Sequence, residues 1–157
     1  CRVMIDDQVV LACQTPVDRD QVVVTGQAEN ENILTTGLAV STEPEGRYPA
    51  VLAFDIGTTT VVGYLMDGTT GKQIATSSCK NPQGQFGADV ISRIRSALHG
   101  NMEALTASIR QCVGALALKL CRKAGIRAQQ VTAISLVGNP AMQQLFMGIL
   151  PENLAIP

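Results

Sequence analysis

The chain has 157 residues, 46% of them hydrophobic but only 3% aromatic, so it can bury one moderate core built mainly from aliphatic side chains. Its 12 basic and 13 acidic residues are scattered and give a net charge of −1, which favours neither a nucleic acid nor an anionic membrane as a partner. No apolar run reaches the roughly 20 residues of a membrane span, and no secretory signal is visible. We therefore predict one main domain in a cytoplasmic protein.

The N-terminal part predicts short strands followed by a linker. Residues 1–13 alternate around a predicted turn at 6–7, and residues 22–25 predict a further strand. The five cysteines of the chain are an odd, widely spaced set, which favours free thiols or metal ligands over a disulfide framework. Cys1 and Cys13 fit packing residues and metal ligands equally well. Beyond them the composition changes to Asn, Glu, Thr, Gly and Pro, which predicts a linker over 27–49.

The segment 51–66 predicts a strand, a phosphate-binding loop and a second strand. The apolar runs 51–56 and 61–66 have the length of buried strands, and a Gly-Thr-Thr turn joins them. A glycine lets backbone N–H groups approach an anion closely, and threonine hydroxyls add donors. Asp55, at the end of the first strand, is placed to hold a divalent cation through water. The alternative is an ordinary hairpin with this turn sequence, and composition alone does not decide between the two.

A third strand and a first helix are predicted next. Residues 67–71 predict a turn and residues 73–79 a strand, so three antiparallel strands open the sheet. The Pro- and Gly-rich residues 81–87 predict a loop that leads into a helix over about 88–98. Asp89 would lie in the first turn of this helix, where a carboxylate is stabilised by unpaired N–H groups and the macrodipole. Asp89 therefore serves either as a cap or as part of a site.

A long amphipathic helix is predicted over 102–124, between a start signal at 100–101 and the stop signal Gly125. Two of its residues, Cys112 and Cys121, are predicted to pack in the core, as is Cys79, because no histidine or cysteine lies at ligand spacing.

The last predicted elements are a fourth strand over 131–137 and a helix that follows it. The long separation of this strand from the third permits a parallel crossover. Asn139 and Pro140 are favoured at the cap and at the first helical position. A helix start after a strand is also a ready anion site, so Asn139 either caps the helix or contributes to ligand binding.

Longer motifs narrow the interpretation. The sequence Asp-Ile-Gly-Thr-Thr-Thr of residues 55–60 resembles the first phosphate motif of the ASKHA superfamily of acetate and sugar kinases, heat-shock ATPases and actin. The stretches 81–83, 86–94, 138–142 and 145–148 resemble the ATP-dependent reductive activators of corrinoid proteins. The resemblance covers nearly the whole chain, but Pro140 stands where the family usually has threonine.

The resemblance implies an α/β fold with a mixed sheet, a ribonuclease-H-like lobe over 50–157 that is incomplete, preceded by a linker over 27–49. Residues 1–26 would be the β remnant of a [2Fe–2S] ferredoxin-like domain. Cys1 and Cys13 would supply two of the four cluster thiolates, and the other two would lie upstream, since the usual spacing is C-x₄-C-x₂-C…C. The chain is accordingly expected to be a fragment.

The resemblance also implies a site and a function. The phosphates of ATP would be bound by Gly57, Thr58, Thr59 and Thr60. Asp55 would be the catalytic residue and would hold Mg²⁺. Asp89 and Asn139 are further candidate site residues. The parent protein would couple ATP hydrolysis to electron transfer from an electron donor through the [2Fe–2S] cluster to an inactive Co(II) corrinoid protein. The fragment alone is expected to be inactive.

Two other functions stay open on the sequence. One is a small-molecule kinase of the same superfamily, and the other is a non-catalytic ATP-binding partner module. A C-x₄-C-x₂ motif directly before Cys1 would favour the activator, whereas an ordinary globular start would favour the kinase. ATPase assays with and without a corrinoid protein separate the non-catalytic module.

Overall fold

A computed structural model describes residues 2–5, 8–11, 23–24 and 49–154. The chain divides into two compact units, Cys1–Ile33 and Leu34–Pro157. Cys1, Cys13, the turn predicted at 6–7 and the linker up to residue 48 lie outside the described residues. Predictions for these positions therefore stay predictions.

The first unit contains a small antiparallel sheet in the strand order β2-β1-β3. Its strands are β1 (Arg2–Ile5), β2 (Gln8–Leu11) and β3 (Val23–Val24). Two strands on either side of residues 6–7, and a third within 22–25, agree with the alternation in the sequence.

The second unit is built on a four-stranded mixed sheet in the order β6-β5-β4-β7. Its strands are β4 (Ala50–Ile56), β5 (Thr60–Asp67), β6 (Gln73–Lys80) and β7 (Ala133–Gly138). The first three strands pair antiparallel with one another in chain order, as predicted. The strand β7 pairs parallel with β4, on the side of β4 that is opposite to β5. The strand β4 therefore lies between β5 and β7, and the loop after it leads into β5.

One face of this sheet is covered by a helix. Alternate residues of β4 are buried, with Leu52, Phe54 and Ile56 at most 2% exposed, while the residues between them are less buried. The helix α2 (Met102–Ala124) packs on β5 and β6 with buried side chains at helical spacing, namely Leu105, Ile109, Val113, Leu116 and Leu120. The core is thus aliphatic except for Phe54.

The three α-helices among the described residues begin at residues whose chemistry explains the boundaries. The helix α1 (Val90–Ser96) starts later than the predicted residue 88, because Asp89 is its N-cap. Helical backbone geometry continues to Leu98 and is lost at His99 and Gly100, where Gly100 has φ of 95°, which agrees with the predicted end at about 98. The helix α2 has its predicted bounds. The helix α3 (Pro140–Met147) starts with Asn139 as its N-cap, also as predicted.

The helical stretch Val90–Ala124 is long and apolar enough to cross a membrane by length and composition, with mean hydropathy of 1.2 over its most apolar window. The sequence-based prediction that no segment is long and apolar enough to span a membrane is therefore wrong on length and composition alone. Core helices pass the same test, and in the structure one side of α2 packs on the sheet.

The three described cysteines pack against the core, as predicted. The Sγ atoms of Cys79 on β6 and Cys112 on α2 lie 2.8 Å apart, and Cys121 is 4% exposed. Burial, and then the contact with Cys79, raises the pKa of Cys112 to about 12.

Candidate phosphate-binding site

The site begins with the tight loop between β4 and β5. The strand β4 ends at Ile56 and β5 begins at Thr60, so only residues 57–59 connect the two strands. A Cβ atom at Gly57 would lie 2.6 Å from the carbonyl oxygen of Thr60, much closer than real Cβ atoms approach backbone. This loop geometry therefore requires glycine at position 57.

Each carbonyl group of the loop is held by a buried partner. The Asn81 side-chain amide donates to the Gly57 oxygen at 2.8 Å, and the Asn81 backbone N–H donates to the Thr59 oxygen at 2.8 Å. The Arg93 guanidinium donates to the Thr58 oxygen at 2.6 Å. Asn81 and Arg93 are 2% and 1% exposed. The loop is thus fixed from one side by two polar side chains that water barely reaches.

This arrangement determines where the loop N–H groups point. In a planar trans peptide the N–H is directed opposite to the C=O of the same unit. The N–H groups of Thr58, Thr59 and Thr60 are consequently directed away from Asn81 and Arg93. Among the hydrogen bonds between described residues, none uses the N–H of Gly57, Thr58 or Thr59 as a donor. Successive unpaired N–H groups form the kind of concave surface that binds anions.

A cavity of about 570 Å³ adjoins the loop. It is lined by Thr58 and Thr59, by Lys80 at the end of β6, and by Asn81 and Arg93. Its lining includes two basic residues and no acidic residue. The electrostatic character of this cavity therefore favours an anion.

The structure brings some of the predicted site residues together and leaves others apart. The Asn139 amide lies 3.4 Å from the Thr58 hydroxyl and also caps α3, accepting from the Met142 N–H at 3.0 Å. Asp55 is exposed beside the loop, on the sheet face opposite to the one that buries Phe54 and Ile56, and it does not line the cavity. Asp89 does not line it either.

Asp89 has a capping role that its surroundings fully explain. Its carboxylate accepts the Ser92 N–H at 2.8 Å, and the Ser92 hydroxyl interacts in return with the Asp89 backbone. The Ser92 N–H, together with the Ser92 hydroxyl, lowers the pKa of Asp89 below its usual value. The carboxylate is exposed, and we assign it to the cap rather than to the ligand.

The capping role predicts how stability depends on pH. Because the pKa of Asp89 is lower in the folded state, its contribution is present above the unfolded pKa of about 4 and is lost as pH falls through the folded pKa. We expect Asp89→Asn to retain the cap and to lose this acid-dependent part, and Asp89→Ala to lower the free energy of unfolding at neutral pH. Thermal unfolding at pH 7 and near pH 3 measures both. Equal destabilisation by Asn and Ala at pH 7 would contradict the assignment.

Sequence reasoning missed Arg93 as a site residue. A signal was present, because positions 90, 93, 94 and 97 lie on one face of the helical stretch and three of them are apolar. An arginine at one of these positions is therefore buried together with the apolar face of the helix. Asn81 and Gln83, in the predicted loop over 81–87, are both buried, and the Gln83 amide donates to the Leu105 carbonyl at 3.1 Å.

The described part of the second unit is thus an α/β lobe whose first hairpin presents unpaired N–H groups, a candidate site for an anion. Residues 50–156 match the family model described as the RACo middle region. The chain belongs to this family, as the sequence motifs indicated.

Two relatives document the match. The corrinoid activation enzyme RamQ of Eubacterium limosum is 37% identical over 107 residues, which are 67% of this chain and 18% of that protein. A solved structure, described as a reductive activator for corrinoid, iron-sulfur protein, superposes with a TM-score of 0.67 and 35% identity over 74% of this chain and 19% of that chain. The chain thus spans about a fifth of the length of these relatives. The predicted fold class, a ribonuclease-H-like α/β lobe with a mixed sheet, is confirmed.

Proposed function

We propose that this chain is a segment of an ATP-dependent reductive activator of corrinoid proteins. The observation that carries the proposal is the family match over 50–156, which includes the hairpin loop with its unpaired N–H groups. In the proposed reaction an electron donor reduces a [2Fe–2S] cluster, and the cluster passes one electron to Co(II), giving Co(I) on the partner protein. Hydrolysis of ATP would favour the conformation that delivers the electron, through differential binding of the partner to the nucleotide states.

The described residues fit the phosphate end of a nucleotide. Gly57 allows close approach of the backbone, and the N–H groups of Thr58 and Thr59 are free of protein acceptors among the described residues. The threonine hydroxyls add further donors. Asp55, exposed at the end of β4, would hold Mg²⁺ through water, as one or two carboxylates usually do.

The cluster would depend on residues that the structure does not describe. Cys1 and Cys13 lie outside the described residues, and two further thiolates would come from another part of the protein. Among the described residues, no group of three or more His, Cys, Asp or Glu side chains is placed to hold a metal. The [2Fe–2S] domain over 1–26 therefore rests on the sequence resemblance.

The proposal is tested by cobalt EPR with the full-length protein that carries this chain. The protein is incubated with a Co(II) corrinoid protein and a low-potential reductant, with or without Mg²⁺–ATP. We expect the Co(II) signal to disappear only when ATP is present. A Co(II) signal that persists in both samples would overturn the proposal. ATP hydrolysis that does not respond to the corrinoid protein would then favour a kinase, and the absence of hydrolysis with and without the corrinoid protein would favour a non-catalytic module.

Asp55 is tested by substitution in the same protein. We expect Asp55→Ala to lower Mg²⁺-dependent ATP hydrolysis at least about tenfold, because a carboxylate that holds the metal is removed. Folding should be retained, since Asp55 is exposed. Phosphate release and thermal unfolding measure the two effects, and Glu103→Ala, another exposed carboxylate, is the control. Parental hydrolysis by Asp55→Ala would remove Asp55 from the site.

A further inference from the structure

Arg93 is the largest side chain that the described part of the protein buries completely, with 1% of its surface exposed. Its three hydrogen-bond partners are all uncharged. Nε donates to the Gly87 oxygen at 2.9 Å, Nη2 to the Thr58 oxygen at 2.6 Å, and Nη1 lies 3.4 Å from the Met142 sulfur. The guanidinium thus joins the phosphate loop, the loop before α1 and the start of α3.

Burying a cation among neutral partners is unfavourable, because carbonyl dipoles replace only part of its hydration. Burial accordingly lowers the pKa of Arg93, and the Asp89 carboxylate opposes this effect through space. Asp89 itself is exposed and occupied with the cap of α1. Arginine stays protonated in proteins, so the buried charge persists. A bound component of opposite charge would offset this cost.

The position of Arg93 indicates which component this is. The guanidinium lies directly behind the Thr58 carbonyl, and the N–H of the same peptide unit points to the other side. An anion bound there would lie roughly 8 Å from the guanidinium, judged from the peptide dimensions and a hydrogen-bond length. At an effective dielectric constant of about 20, this attraction corresponds to roughly 30-fold in affinity for each full charge at that distance.

We propose that Arg93 is a positioning residue of the nucleotide site: it holds the Thr58 carbonyl away from the ligand, so that the loop N–H groups face the phosphates, and its charge is compensated when the phosphates bind. The inference rests on the proposed function, since it assumes that the loop binds ATP. It extends that function by assigning the electrostatic part of phosphate binding to a residue that does not need to touch the nucleotide.

The assignment has a consequence that a merely structural role lacks. Because the charge of Arg93 acts on the phosphates, its removal should weaken binding more for ligands with more phosphate groups. We expect Arg93→Met in the full-length protein to lower affinity for Mg²⁺–ATP by about 100-fold, for Mg²⁺–ADP by less, and for AMP by less than about threefold. Arg95→Met is the matched control, since Arg95 lies two residues further on α1, carries the same charge and is exposed.

Isothermal titration with the three nucleotides measures these affinities, and circular dichroism with thermal unfolding establishes that each variant is folded. An equal loss for all three nucleotides, or no loss, would overturn the inference. If Arg93→Met does not fold, Arg93→Lys carries the test: it keeps the charge without the fork of donors, so the ratio of ATP to AMP affinity should stay within about threefold of the parental ratio. A collapse of that ratio would contradict the charge assignment. If the parental protein itself does not bind Mg²⁺–ATP, the proposed function fails instead.

Discussion

Replacing Gly57 by alanine in the full-length protein is expected to lower its affinity for Mg²⁺–ATP by at least about 100-fold. The new Cβ would lie 2.6 Å from the Thr60 carbonyl oxygen, and backbone cannot yield as a flexible side chain does. The hairpin turn must therefore open, which moves the N–H groups of Thr58 and Thr59. Two hydrogen bonds from N–H groups to a charged phosphate are worth about 1.5–3 kcal/mol each, and their joint loss accounts for the expected factor.

The Gly57 prediction is checked by isothermal titration of the variant and of Gly114→Ala. The control is matched in chemistry, because Gly114 lies on the exposed side of α2 and a Cβ there meets nothing within 4 Å. Gly114→Ala should bind Mg²⁺–ATP as the parental protein does. If Gly57→Ala also bound with parental affinity, the loop would not be the phosphate site.

Replacing Gly63 by valine is expected to lower the free energy of unfolding by about 3 kcal/mol. Gly63 lies on β5 directly opposite Phe54, and a Cβ there would lie 2.7 Å from the Phe54 ring and 2.9 Å from Leu120 on α2. The ring of Phe54 occupies the space that a side chain at 63 would fill. Valine would therefore force the helix away from the sheet, or the ring out of its rotamer.

Thermal unfolding tests the Gly63 prediction, with an expected decrease in the midpoint of about 10 °C. Gly114→Ala is again the control, and it should leave stability unchanged or raise it by up to about 1 kcal/mol. The double variant Gly63→Val with Phe54→Leu should recover part of the loss, because removal of ring atoms makes room. No recovery would show that the ring is not the obstacle.

The sequence predicted most elements of the second unit because each depends on local signals. The apolar runs 51–56 and 61–66 became strands β4 and β5, and Asn139 with Pro140 marked the start of α3. The glycine and threonines of the loop were recognisable because their chemistry suits an anion. The helix over 88–98 was predicted to start too early, since the cap at Asp89 depends on side-chain geometry, whereas its predicted end agrees with the loss of helical geometry at His99 and Gly100.

The support behind the loop was not predictable in the same way. The hydrogen bonds of Asn81 and Arg93 to the loop join residues 24 and 35 positions apart in the sequence. Nothing in a local pattern says that an arginine on α1 reaches the carbonyl of Thr58, because arginine is usually exposed. The contact between Cys79 and Cys112 also depends on how α2 lies on β6. For such residues the sequence predicts the face of a helix or the position in a strand, but it does not predict which residue they contact.

The central position of β4 has a consequence for the newly synthesised protein. Its partner β5 follows directly through a three-residue connection, so that this hairpin can form within microseconds. The other edge of β4 stays unpaired until β7 has been synthesised. The hydrogen bond from Thr132 to Ala50 on this side joins residues that are 82 positions apart. A ribosome adding about 5–20 residues per second needs roughly 4–16 s to make that stretch. Throughout this interval the nascent chain exposes an apolar strand edge, which is a template for pairing with other chains.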